Sequence, residues 1–183
     1  SQGFTEGPSR RVISNSWGTD EFSGEERYDK HCRLRSSVCV FASGNSGNPA
    51  LYPAANPYAI AVGGTTLRLT AAGGVIDEVA WVGSGGGVSA YEPKPAYQNT
   101  VNSFGGRGAP DVSYNANPLT GFPVYDSLGY AGQSGWFRLG GTSVAAPQWA
   151  GIIAAADQLR ASAGRRPLAS RHFASHTALY ALA

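Results

Sequence analysis

An α/β fold with a mainly parallel central sheet flanked by helices is predicted by three observations. Two short apolar runs, Val12–Ser16 and Val38–Ala42, bracket a segment with helical start signals, and together they have the length of one strand–helix–strand crossover. A third apolar run, Tyr58–Gly64, follows soon after. A long small-residue segment then opens at Gly140-Gly141-Thr142-Ser143 and stops at Gly164, a typical helix breaker.

The elements follow in order. Val12–Ser16 reads as a short buried strand that ends at Trp17-Gly18. Ser23–His31 reads as a helix, with a serine start and acidic residues in its first turn. Val38–Ala42 is a β-branched strand stopped by Ser43-Gly44-Asn45-Ser46-Gly47, and the crossover makes it parallel to the first. The carboxyl ends of both strands then share one edge, where open α/β folds bind ligands. Leu67–Thr70 and Val75–Val79, split by Ala71-Ala72-Gly73-Gly74, read as a hairpin at the sheet edge. From Gly83 to Gly141 the abundance of Gly, Pro, Asn and Tyr predicts long shaped loops, with Phe137–Leu139 as a last short strand. The final helix is expected from about Ser143 to about Ala163, with Pro147 in its first turn, where a missing N–H costs nothing.

Composition narrows the function classes. The chain of 183 residues suffices for one domain with a sizeable core. A net charge of +2, from 14 basic and 12 acidic residues, gives no electropositive field for nucleic acid. The pairs Arg10-Arg11 and Arg165-Arg166 read as solvated surface. The longest apolar stretch, around Trp149–Ala156, is too short to span a bilayer, and the first residues lack the apolar core of a signal peptide. There is no methionine, so a processed product or internal fragment is expected. Cys32 and Cys39 have two readings: a disulfide in an oxidising compartment, or two buried thiols acting as small hydrophobes.

Gly140-Gly141-Thr142-Ser143 carries the chemical question. A serine at the head of a helix is by itself an ordinary cap. Here the glycines admit close approach of another backbone, and Ala145 and Ala146 keep the helix head slim. A serine so placed also aims its own N–H at an oxyanion forming on an acyl group that it attacks. Asn45, at the carboxyl end of a strand and between Gly44 and Gly47, is a second oxyanion donor on this reading and a turn asparagine on the other.

VISNSWG, FASGNSG, YPAANPYAIAVGGTT and GGTSVAAP resemble, in order and spacing, the subtilisin-like serine peptidases. VGGTTL, AWVGSGGGVS, YEP leading to PAYQ, APDVS, APQWAG and the late Ala178-Leu179-Tyr180 are similar to one branch, the sedolisins or serine-carboxyl peptidases. The resemblance covers nearly the whole chain. It implies the subtilisin-like three-layer fold and, over residues 1–183, the nucleophile and oxyanion portion of a catalytic domain. Ser143 is then the nucleophile and Asn45 an oxyanion donor. Ser16, Trp17, Gly18, Gly44 and Thr142 bind the substrate backbone, the first three by strand augmentation. It further implies protein or peptide substrates, a monomeric secreted enzyme, a pro-domain in the full-length protein, and calcium in the intact family member.

Two departures limit what carries over. Sedolisins usually have Asp where this chain has Asn45; subtilisins have Asn. An amide donates at any pH and a carboxyl only when protonated, so activity reaching toward neutral pH is expected. The second departure is the base that serine requires. Sedolisins use a Glu with an Asp four residues later, upstream of VISNSWG, and subtilisins a His upstream; neither motif is in this sequence. His31, His172 and His176 do not sit in a subtilisin-like motif, the latter two lying in a polar tail. Glu25 and Asp29 have the right spacing but follow the substrate-binding strand, so a solvated helix face is expected. The calcium ligands, about six to eight oxygens, are likewise expected outside the chain, and the chain alone is expected to be inactive. Three readings stand: a sedolisin with an upstream Glu/Asp base, a Ser-His-Asp subtilisin, and a peptidase-like protein that binds peptides without turnover. The residues preceding Ser1 separate them.

Overall fold

Alternation within the Val38–Ala42 run fixes the two faces of the sheet. The computed structural model describes residues 11–34, 37–168 and 173–182. Its central sheet holds β1 (Arg11–Asn15), β3 (Ser37–Ala42), β5 (Ala59–Leu69), β9 (Val112–Asn115) and β6 (Val75–Ala80). β1, β3, β5 and β9 are parallel, and only β6 runs antiparallel. Val38 and Val40 face one side, where they pack with Ile60, Val62 and with Ala145, Ala146 and Ile153 of the long helix α1 (Thr142–Ser162). Cys39 and Phe41 face the other side, with Ala59, Ala61 and Cys32. Apolar layers on both faces are what a parallel sheet requires, and the predicted fold class holds.

Strand β5 is longer than its apolar core suggests. Its eleven residues run through Leu69, so the first arm of the expected hairpin is the continuation of β5. Ala42 and Val112 both pair with Val62, placing β3 and β9 on opposite edges of β5. Thr65 pairs with Ala80 and Asn115, so β6 lies on the β3 side, beyond the point where β3 leaves the sheet. That departure is the Ser43–Gly47 loop. β1 pairs with β3 alone, and Ile13 is 38% exposed, so the strand read as buried is a half-open edge.

Three further expectations are corrected. The Ser23–His31 helix is a 3-10 helix over Glu25–His31, and Glu25 and Asp29 are buried, not solvated. The Gly83–Gly141 stretch is not mainly loop: it holds β7 (Gly87–Pro93) paired with β8 (Gly106–Ala109), β9, and a long hairpin of β10 (Phe122–Tyr130) and β11 (Gln133–Leu139). Phe137–Leu139 is the end of β11. Glycine turns and exposed strand faces hid this period from the sequence. His176 is buried as well, on α2 (Ala174–Tyr180), where its ring stacks on Tyr97.

Buried polar bonds tie α2 to the rest of the fold. His176 Nε2 lies 2.9 Å from Ala59 O, and burial pushes the imidazole pKa down. Tyr180 donates to Asp111 Oδ1 at 2.7 Å, and Gln98 Nε2 donates to Tyr180 Oη at 2.7 Å. Asp111 also pairs with the fully buried Arg107 at 2.5 Å and accepts the Ala61 N–H at 2.7 Å. Asp111→Ala is expected to cost about 3–5 kcal/mol, because it strands a buried guanidinium. Denaturant unfolding of the intact protein measures it; a loss below about 1 kcal/mol would refute the assignment.

Candidate active site

The cap question is answered by where α1 begins. The helix starts at Thr142, preceded by Gly141 at φ +108°, so Ser143 is the second helical residue and cannot be its cap. The capping oxygen comes from far along the chain. Asn45 Oδ1 accepts the Thr142 N–H at 2.7 Å and lies 3.0 Å from Thr142 Oγ1. Thr142 Oγ1 also accepts the Gly44 N–H at 3.1 Å and lies 3.0 Å from Gly44 O. With Oδ1 held this way, the Asn45 amide presents Nδ2 as its free end, on an exposed residue. Ser143 is exposed too, and its own N–H is among those a helix start leaves without an intrahelical partner.

Pro147 has a larger role than a first-turn residue would. It is the sixth helical residue, so its missing N–H leaves the Ser143 carbonyl without its usual i+4 donor. Ser16 Oγ fills that place, donating to Ser143 O at 3.4 Å. The end of β1 is thereby tied to the turn that carries Ser143.

Backbone contacts hold the Asn45 loop. Ser43 N–H donates to Val62 O at 3.0 Å, Ser43 Oγ to Gly85 O at 2.7 Å, and Gly85 N–H to Gly44 O at 2.7 Å. Gly44 has φ +109°, and a side chain at Gly85 would place its Cβ only 2.0 Å from Ser43 O. The Gly83–Gly87 run is therefore the clamp that lets two backbones touch.

Past Ser16, Gly18 approaches Tyr52 O, and β2 (Thr19–Asp20) pairs with β4 (Leu51–Tyr52). Trp17 is 63% exposed, with its ring edge-on to Phe41 at 5.5 Å. Beside it opens an apolar cavity of about 440 Å³ walled by Trp17, Phe22, Tyr28, Phe41 and Tyr52. Phe22, Tyr28 and Tyr52 went unnoticed in the sequence, because no common spacing links aromatics drawn from a loop, a helix and a strand. Cys32 is also in this wall; it and Cys39 are both free thiols.

Comparison with known proteins decides the family. The model of the Subtilase family matches residues 6–181. The chain belongs to that family. Within it the chain is similar to the sedolisins. It is 37% identical over 132 residues to Sedolisin of Pseudomonas sp. (strain 101), a match covering 63% of this chain and 22% of that protein. It is 33% identical over 200 residues to Tripeptidyl-peptidase sed4 of Aspergillus fumigatus, covering 86% of this chain and 31% of that one. The structure of Pseudomonas sedolisin (serine-carboxyl proteinase) complexed with two molecules of pseudo-iodotyrostatin superposes with a TM-score of 0.71 at 29% identity, covering 92% of this chain and 52% of that one. The chain thus spans less than a third of the length of these two curated relatives.

In this subtilase chain the described residues bring no base to Ser143. Neither Glu25 nor Asp29 bonds to it, His31 lies in the cavity wall, and His176 bonds Ala59 O. His172 and Arg10 lie outside the described residues. Among the described residues no group of three or more His, Cys, Asp or Glu side chains is arranged to hold a metal ion. No helix among them is long and apolar enough to cross a membrane.

Proposed function

We propose that the chain supplies the nucleophile and oxyanion half of a sedolisin-type endopeptidase. The observation that carries this is the Asn45–Thr142 bond, which sets a free amide N–H₂ and the Ser143 N–H at one helix start. Ser143 Oγ attacks the peptide carbonyl as its proton passes to a base. The new C–O bond pushes charge onto the carbonyl oxygen, which Asn45 Nδ2 and Ser143 N–H receive. Collapse breaks the C–N bond, the amine leaves with the proton, and water then hydrolyses the acyl-serine. A Glu/Asp base from outside this chain fits the sedolisin relatives; Asn45 favours the second reading, a histidine base.

Ser16, Trp17 and Gly18 bind the substrate backbone beside Ser143, with Gly44 and Thr142 holding the oxyanion loop. The aromatic cavity supports a large apolar side chain next to the attacked carbonyl. The intact protein is read as a secreted monomer made with a pro-domain, its calcium ligands in other segments.

A fluorophosphonate tests this. In the intact protein it is expected to label Ser143 by peptide mapping, faster when it carries a phenylalanine-like group than an acidic one. The 183-residue chain alone is expected to label at least about 10²-fold more slowly, for want of the base. Labelling of another serine, or none in active protein, would sink the reading.

A further inference from the structure

Behind the aromatic cavity lies a group of buried carboxyls that the proposed chemistry does not use. Glu25 is fully buried; its Oε2 accepts the Phe22 N–H at 2.8 Å, and its Oε1 has no partner. Glu92, on β7, is 2% exposed, and its Oε1 is also unpartnered. Asp29 accepts the Tyr52 hydroxyl at 3.2 Å and faces Glu92, near enough for its charge to disfavour ionisation of the Glu92 carboxyl. Glu21 faces Glu25, whose ionisation its charge disfavours, and accepts from the Ser89 hydroxyl and from the Ala90 N–H at 3.2 Å. A contact between two carboxyls is a hydrogen bond only when one of them holds a proton.

The set joins two parts of the molecule. Glu21, Glu25 and Asp29 belong to the segment that contributes Phe22, Tyr28, His31 and Cys32 to the cavity wall. Glu92, Ser89 and Ala90 belong to β7. Among the described residues the other titratable groups facing the set are Glu26 and the Cys32 thiol from the helix side and Tyr52 from β4, none of them a cation. Among the described residues no Lys, Arg or His forms an ion pair with any of these carboxyls. Arg27 lies over the Tyr28 ring, at 5.1 Å from its centroid.

We propose that these carboxyls form a proton-dependent clasp, which fastens the wall of the aromatic cavity to β7 when protonated and releases it when ionised. Released protons leave like charges in a buried space with no cation to compensate them. The direction with pH follows. Burial lifts Glu25 from 4.5 to about 7 and Glu92 from 4.5 to about 8, and it raises Asp29 as well. Between those values and 4.5 the folded protein keeps protons that the unfolded chain has lost. Stability is therefore complete below about pH 4.5 and is lost as pH climbs through 7 to 8.

The test uses the intact protein and reads stability, so it stands whether or not Ser143 is a nucleophile. The thermal midpoint is expected to fall by about 5 °C or more from pH 5 to pH 8. Amide hydrogen exchange, corrected for its intrinsic pH dependence, is expected to rise over residues 22–33 and 87–93. Glu25→Gln with Glu92→Gln is expected to flatten the pH slope of the midpoint, while the control Asp77→Asn, at a half-buried carboxyl outside the set that pairs with Arg68, keeps it. An unchanged slope in the double variant overturns the clasp. If that variant fails to fold, the wild-type exchange decides: equal protection of residues 22–33 at both pH values overturns it.

Discussion

Ser143→Ala in the intact protein is expected to lower kcat by about 10⁵–10⁶-fold, the scale on which a serine peptidase loses its nucleophile. KM and the thermal midpoint are expected to change little. Ser143 Oγ makes no hydrogen bond among the described residues, and the helix start is capped by Asn45 instead. A cap serine would behave oppositely: its loss would cost about 1 kcal/mol of stability and leave turnover alone. The comparison thus separates the two roles a GGTS serine can have. Steady-state kinetics on a protein substrate, beside a melting curve, provides it, and residual activity above about 1% would refute the nucleophile.

Asn45 is expected to give the second largest effect, in two separable parts. Asn45→Ala removes the oxyanion donor and the capping oxygen, lowering kcat by about 10²–10³-fold and stability by about 1 kcal/mol. Asn45→Asp is the sharper variant. It keeps an oxygen for the Thr142 N–H, but its other oxygen donates only while protonated. Activity of that variant is expected to fall as pH rises through the new carboxyl's pKa, a limb the wild-type amide lacks. Superimposable pH–rate profiles would show that Asn45 does not donate to the oxyanion.

The two acid-sensitive features then act at different places. On the proposed roles, the amide at position 45 frees the oxyanion site from a need for acid, whereas the Glu25–Asp29–Glu92 clasp puts such a need into the cavity wall. Activity of the intact protein toward neutral pH is accordingly expected to be bounded by the wall and not by the oxyanion donor. Kinetic and melting profiles of Asn45→Asp and of the Glu25/Glu92 variant should move independently.

The sequence by itself determined the parts whose cause is local. The continuous apolar run Val38–Ala42, the crossover length before it, and the run from GGTS to Gly164 were enough for the sheet, its parallel sense and α1. Motif order was enough for the family. What depended on contacts across the chain could be decided only by tertiary structure. Glu25 and Asp29 read as a solvated face because their spacing says nothing about β7, which closes over them some 60 residues later. His176 read as tail because its partners, Tyr97 and Ala59, lie about 80 to 120 residues away. The position of Ser143 within the helix turned on the same kind of fact. A helix can be recognised from its own residues, but its cap here is an oxygen 97 positions upstream, brought there by the clamp between Gly44 and Gly85. Hydrogen bonds act over about 3 Å, and only the folded chain determines which groups come that near.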